Sequence, residues 1–303
     1  MNMKKNKVKK SAPVYIFQTF NYIFLAALVL LCLYPMWYCL MASISNPGAM
    51  MRHMGPLLLP KGFSLASYGK VFANPNIISG YKNTIFILVV GVILCLLMTS
   101  LGAYVLSRKD LLFRKPLMMI IMFTMFFGGG LIPYFLLIRS LHLYNTFWVY
   151  IIPSLFNVWN MIIIQSFMRE LPEALNESAK MDGAGEYRIF LQIILPLSKP
   201  VIAAIALFTI VGHWNSYFDS MMYTADVSLQ TIQLYLKKVI TDPSVAAGMG
   251  ATAARVVPDA AAKITAQSVK LAAMAVTALP VVAIYPFLQK YFVKGMTIGA
   301  VKG

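Results

Sequence analysis

The sequence predicts an all-α integral membrane protein with six transmembrane helices, and three observations predict it. First, 59% of the 303 residues are hydrophobic and 12% charged, against about 25% charged in soluble domains. Second, the apolar residues gather into runs of roughly 20 and more, which a soluble core of this size does not hide. Third, the basic residues lie in the gaps between runs. The net charge of +16 therefore reflects membrane topology, and a nucleic-acid partner is not expected.

The six spans read Tyr22–Ser43, Thr84–Leu106, Pro116–Ile138, Thr146–Met168, Pro200–Tyr223 and Val269–Phe292. Each is near the ~20 residues that cross a ~30 Å hydrocarbon core at 1.5 Å per residue. Bare backbone polar groups are not tolerated in lipid, so the runs must be helical. The last is interrupted by Pro280 and Pro286. The start, Met1–Lys10, holds Lys4, Lys5, Lys7, Lys9 and Lys10 and resembles a signal-peptide n-region. The following run exceeds the ~7–15 residues of an h-region and lacks a convincing cleavage site. A retained signal anchor is expected.

An even number of spans puts both termini on one side. If that side is the cytoplasm, the inner segments are the N-terminus, Ser107–Lys115, Arg169–Lys199 and the C-terminus. With Lys290 counted at the inner end of the last span, they carry 16 of the 26 Lys and Arg residues, as the positive-inside bias requires. The expected organisation is a basic N-terminus (1–21), a six-span domain (22–292) containing a cytoplasmic loop (169–199), and a cytoplasmic tail (293–303). Of the two long outer loops, Ile44–Lys82 is proline-rich and at least partly structured. The other carries an amphipathic stretch, Leu229–Ile240, and then an Ala/Gly-rich run, Val245–Ala262.

Cys32, Cys39 and Cys95 all sit within apolar runs and read as packing residues. With no CxxC and no His/Cys cluster, a metal or redox role is not expected. Gly248-Met-Gly250-Ala-Thr-Ala253 mimics a dinucleotide fingerprint without the strand that should precede it. No GxxxxGK[ST] string occurs, so the chain has no phosphate-binding loop of its own. No catalytic set is expected.

The informative segment is the 169–199 loop, where Glu170, Glu173, Glu177, Asp182 and Glu186 are five of the ten acidic residues. Pro172 suits a first helical turn, where its missing N–H is harmless. Glu173 suits the positive end of the helix dipole. Gly183 suits a left-handed C-terminal cap. A helix from Pro172 to Met181 follows, with Leu171, Leu175, Ser178 and Ala179 on one face. That stripe is too narrow for a core of its own and is expected to seat in a groove on another protein, with Ala179 allowing close approach. A second helix, Gly185–Leu195, turns Ile189, Phe190, Ile193 and Ile194 toward the membrane. Pro196 and Pro200 separate it from the fifth span. The result is a helix–Gly–helix hairpin, expected to be stiffly joined to that span.

The string Glu177-Ser-Ala179, Asp182-Gly183-Ala184, Leu195-Pro196 and Pro200 resembles the EAA loop of ATP-binding-cassette importer permeases. The 13-residue spacing from Gly183 to Pro196 matches that pattern, and Ser178 departs from the usual Ala. The resemblance implies a coupling helix docked on a separate ATPase, with Glu177, Ser178, Ala179, Asp182, Gly183, Leu195 and Pro196 as the coupling residues. Gly128-Gly-Gly-Leu-Ile-Pro133, Leu229–Lys238 and Lys294–Gly303 are similar to maltose-type carbohydrate permeases, most of all the Gram-positive complex-oligosaccharide branch. The implied partners are a second permease in a heterodimer, two ATPase subunits that use ATP and Mg, and an extracytoplasmic sugar-binding protein. The chain itself would bind no cofactor, and would sit in the bacterial plasma membrane.

Gly128–Gly130 and Pro133 read either as close helix packing with a local kink, the reading we favour, or as a broken helix lining a path. Polar and aromatic groups inside the spans are Asn157, Trp159, Asn160 and Gln165 in the fourth and His213, Trp214 and Asn215 in the fifth. Trp214, Asn215, Asn160 and Gly129 are the candidate substrate path, set against interfacial anchoring and packing. A secondary transporter driven by an ion gradient is the alternative function. It calls for ionisable groups at mid-membrane, where His213 stands alone. A membrane enzyme would need paired carboxylates or a His/Asp cluster near one membrane face.

Overall fold

The computed structural model describes residues 12–242, 244, 245 and 265–300. The lysine-rich start, the run over 246–262 with its fingerprint-like string, and the last three residues lie outside the described residues. Among the described residues the regular structure is helical, apart from one isolated bridge between Ser45 and Phe63. In chain order the principal helices are α1 (Ala12–Ser43), α2 (Pro75–Ser107), α3 (Arg114–Phe126), α4 (Leu131–Ser140), α5 (Val158–Met168), α6 (Ala174–Met181), α7 (Glu186–Leu197), α8 (Lys199–Asn215), α9 (Ile232–Thr241) and α10 (Ala266–Ala300), with shorter helical turns between them.

Three helices are each long and apolar enough to cross a bilayer: Pro13–Ser43 in α1, Pro75–Ser107 and Ala266–Pro286 in α10, with 31, 33 and 21 residues. Three bent pairs complete six spans: α3 with α4 at 112°, Phe147–Ser154 with α5 at 42°, and α7 with α8 at 80°. In the last pair α8 is the fifth span and α7 belongs to the hairpin. Helix α10 continues to Ala300, beyond the expected end at Phe292.

Three expected spans therefore need correction. Pro116–Ile138 is not one kinked helix but two. Phe127 leaves α3 in an extended conformation and Gly130 adopts φ +85°, a left-handed value open to glycine at little cost. In Thr146–Met168 the first part is 3₁₀ turns, Phe147–Tyr150 and Ile152–Ser154. There Pro153 can donate no backbone bond, and α5 restarts where the Asn157 side chain caps the N–H of Asn160 at 2.9 Å. The fifth span stops at Asn215 rather than Tyr223. Ser216 turns extended, and a separate short helix, Phe218–Tyr223, follows. Hydropathy averaged over a span-length window sees none of these breaks, because the few glycine and polar residues at them are outweighed by apolar neighbours.

The chain divides into two compact units, residues 1–70 with 246–275 and residues 71–245 with 276–303. In the first, Tyr34 Oη accepts the Leu57 N–H at 3.0 Å and Trp37 donates to the Leu58 carbonyl at 3.0 Å. The Cys39 thiol lies against the Leu271 carbonyl and the Met274 sulfur. Asn46 caps a short helix, Pro47–Met51, through the N–H groups of Gly48 and Ala49.

Two apolar centres of the second unit lie among the described residues. One gathers Ile87, Ile138, Leu143, Val149, Tyr150, Ile151 and Tyr223. The other gathers Ala103, Tyr104 and Leu106 of α2, Met161, Ile164 and Met168 of α5, Ala179 of α6, Ile189, Phe190 and Ile194 of α7, and Ile205 of α8. The amphipathic α9 rests on the first turns of α2, where a side chain on Gly80 would come within 3.1 Å of the Ile232 backbone. Thr84 Oγ1 accepts the Ile232 N–H at 3.1 Å. Asn83 Nδ2 donates to the carbonyls of Ser228 and Gln230, at 2.7 and 3.0 Å.

Candidate functional site

The hairpin forms as its residues dictate. Helix α6 starts two residues after Pro172 and stops at Met181. Gly183 follows at φ +78°. Its N–H bonds the Lys180 carbonyl at 3.0 Å, while the Ala184 N–H reaches the Ala179 carbonyl at 2.9 Å. These two bonds make a Schellman cap, which satisfies carbonyls that the helix end would otherwise leave bare. Helix α7 then runs from Glu186, widening into a π-helical stretch at Phe190–Ile194 just before Pro196.

Of the stripe on α6, Ala179 faces this chain and Leu171 is half-buried, while Leu175 and Ser178 are exposed. Ala179 is buried with Ile189, Phe190 and Ile194 of α7 and with Ala103 and Tyr104 of α2, and Leu171 packs partly against the same cluster. This corrects the expectation that Ala179 seats in a partner's groove. Its small side chain lets α6 lie close on its own core. The side of α6 away from Ala179 presents Glu177 and Met181, and Ser178 and the capping Asp182 are exposed beside it; Met181 is 89% exposed. Leu195 and Pro196, half-buried, belong to the far end of α7. Ser198 then forms the 80° elbow into α8. It is fully buried, and its Oγ finds no hydrogen-bond partner among the described residues.

A charged cluster joins the hairpin to the end of α2. The Glu186 carboxylate accepts from Tyr104 Oη at 2.5 Å and from Lys180 at 2.8 Å, with Arg108 at 3.6 Å. Arg108 donates through two nitrogens to Asp110, at 3.2 Å each. Lys180 also lies 3.8 Å from Asp110, and Lys109 pairs with Glu173. Lys180 and Tyr104 hold the Glu186 carboxyl below the usual carboxylate range. Arg108 does the same for Asp110. Beneath these charges the Tyr104 and Phe190 rings lie 5.2 Å apart. Gln165 of α5 donates to the Leu106 carbonyl at 2.7 Å, closing the end of α2.

The four candidate path residues have different surroundings. Asn160 is buried and its amide lies 3.5 Å from Thr209 Oγ1 of α8. Trp214 is buried, donates to the Thr277 carbonyl at 3.3 Å and packs on the Tyr81 ring. It also lines a small apolar cavity with Leu88, Leu207, Val281 and Tyr285. Asn160 and Trp214 thus tie spans together. Asn215 and Gly129 are exposed, Gly129 within the break between α3 and α4. Among the described residues no group of three or more His, Cys, Asp or Glu side chains could hold a metal ion.

Residues 110–298 match the family described as "Binding-protein-dependent transport system inner membrane component". The chain belongs to this family.

The permease is 38% identical over 288 residues to protein LplC of Bacillus subtilis, covering 95% of each chain. It is 36% identical to the polygalacturonan/rhamnogalacturonan transport system permease protein YtcP of the same organism, covering 95% of this chain and 99% of the other. A solved bacterial ABC transporter involved in the import of the acidic polysaccharide alginate contains a chain that superposes with a TM-score of 0.86. The sequence identity is 32%, over 94% of this chain and all of that one. The permease is a membrane-spanning component of a binding-protein-dependent importer, and its relatives are transport subunits rather than enzymes. Sequence reasoning passed over Tyr104, Arg108 and Asp110. The available signal was a tyrosine and an arginine four residues apart at the end of the second apolar run, with an acidic residue two positions further on.

Proposed function

We propose that this permease imports an oligosaccharide and that residues 169–199 are the cytoplasmic element through which a separate ATP-binding-cassette ATPase drives it. The observation that carries the docking reading is that α6 is anchored in its own core through Ala179 while Glu177, Ser178, Met181 and Asp182 stand exposed. A short helix capped tightly at Gly183 and bearing an 89% exposed methionine suits insertion into a partner's cleft. Ala179 and Gly183 act by holding that face in place, and Leu195 and Pro196 by shaping the far end of the hairpin. Several relatives are named for carbohydrate transport, and the superposed transporter is involved in the import of an acidic polysaccharide. Both termini are cytoplasmic in this reading, with residues 1–21 and 293–303 flanking the six-span domain.

The working assembly is this chain with a second, non-identical permease, two ATPase subunits that use ATP and Mg, and an extracytoplasmic sugar-binding protein. ATP-driven closure of the ATPase pair would shift the permease pair between inward- and outward-open states, a two-state equilibrium that ATP and the loaded binding protein both bias. Asn215 and Gly129 are exposed and remain candidates for the path. The chain binds no cofactor of its own in this reading.

The test is Met181→Asp, which places a charge on the exposed face without disturbing the core. The expected result is normal membrane insertion with loss of the ATPase subunit that co-purifies with the unsubstituted permease. Full retention of that ATPase, with unchanged ATP-driven uptake, would end the docking assignment.

A further inference from the structure

The elbow at Ser198 raises a question of force. A lever joined to the bundle through an 80° corner, with proline on either side of it, transmits torque poorly along the backbone. Another route lies beside it. Glu186 stands in the first turn of α7, and its two carboxylate oxygens are divided between elements. Oε2 is held by Tyr104 of α2, while Oε1 faces Lys180 of α6 and Arg108 at the end of α2. Tyr104 and Arg108 are four residues apart, one helical turn, so α2 presents both donors on one edge. One side chain thereby fixes three helices at a single point, above the buried cluster that already joins them.

The geometry points to Glu186 as a positioning residue that makes the hairpin and the end of α2 move as one body, so that a push on α6 enters the spans sideways through α2. The proposal rests on the reading of residues 169–199 as the ATPase-docking element. Half-exposed charges of this kind contribute little to folding, so the chain should fold without Glu186. What it should lose is the fixed angle between hairpin and span. Tyr104, whose ring is buried, would then have its hydroxyl beside a vacancy rather than a carboxylate.

The experiment uses the whole transporter in lipid nanodiscs, with Cys32, Cys39 and Cys95 changed to serine. Spin labels go at Val105 on α2 and Tyr187 on α7, both exposed, and dipolar broadening reads their separation. In the otherwise unsubstituted protein one narrow separation is expected, the same without nucleotide and with ATP and vanadate. In Glu186→Ala the distribution should at least double in width and shift between the two states, while the ATPase stays bound. Glu186→Gln, which keeps an acceptor oxygen for Tyr104 and Lys180, should retain most of the narrow distribution.

An unchanged narrow separation in Glu186→Ala would overturn the proposal. So would loss of the ATPase from that variant, since Glu186 would then be a docking residue. Failure of the docking reading itself shows separately, as retention of the ATPase by Met181→Asp.

Discussion

Gly183 and Gly185 allow a test in which one angle is the variable. A methyl group added at either position meets nothing within 4 Å, so neither alanine variant clashes. They differ in backbone conformation: Gly183 sits at φ +78° and Gly185 at φ −72°. Alanine in the left-handed region is disfavoured by about 1–2 kcal/mol. At a φ that it adopts freely, alanine instead stabilises by about 0.4–1 kcal/mol, through reduced freedom of the unfolded chain. That gain is common to both variants, so the difference between them is the left-handed penalty. It corresponds to an about five- to thirty-fold larger open population of the hairpin in Gly183→Ala than in Gly185→Ala. The reporter is the Ala184 N–H, which is bonded to the Ala179 carbonyl. Amide exchange followed by mass spectrometry over residues 172–186, on the permease in nanodiscs, reads it directly. Gly183→Ala should exchange faster than the unsubstituted chain and Gly185→Ala no faster. Equal shifts in the same direction would refute the assignment of the hairpin stop to the φ of Gly183.

Other outcomes follow from single contacts. In Gly102→Ala the new methyl would stand 2.6 Å from the Phe156 ring. The ring must move at a cost of about 1–3 kcal/mol, seen as a lowered midpoint of thermal unfolding in detergent, and Phe156→Leu in the same chain should recover most of it. Asn157→Ala removes the cap on Asn160 and should destabilise by about 1 kcal/mol, while Asn157→Asp should keep most of the cap. Glu186 and Asp110 are held below the carboxylate range in the folded state, so the charged forms favour folding. Their contribution is complete above the ordinary carboxylate value of about 4 and is lost as pH falls through the depressed one. The separation of labels at Val105 and Tyr187 should therefore hold from pH 7.5 to 5 and broaden only in stronger acid. The Glu186→Gln protein should show no such pH step.

The hairpin was legible because its determinants are local. A proline at its start, a glycine at its stop and acidic residues in its first turn place α6 within two residues of where it lies. The use of its faces was not legible. Ala179 is buried by Ala103 and Tyr104, some 75 residues earlier in the chain, and a stripe on a helix does not say which surface will cover it. The same distance hid the charged cluster, since Glu186 reads as one more acid in an acidic loop until Arg108 and Tyr104 are brought beside it. Number and placement of the spans followed from hydropathy, which measures transfer into lipid. Their interruptions followed from Gly130, Pro153 and Ser216, whose effect lies in backbone geometry. Asn160 and Trp214, singled out for polarity inside spans, proved to hold α5 to α8 and α8 to α10.

The corner between α3 and α4 has a consequence for the life of the chain in the cell. Residues 126–131 are exposed where the backbone leaves helical geometry at mid-span, and hydrocarbon offers nothing to bond its carbonyls. Left solitary, such a subunit carries a wound in its side that only water or a second polypeptide can dress. Its abundance should therefore follow that of its companion, with any unmatched surplus cleared by membrane proteases.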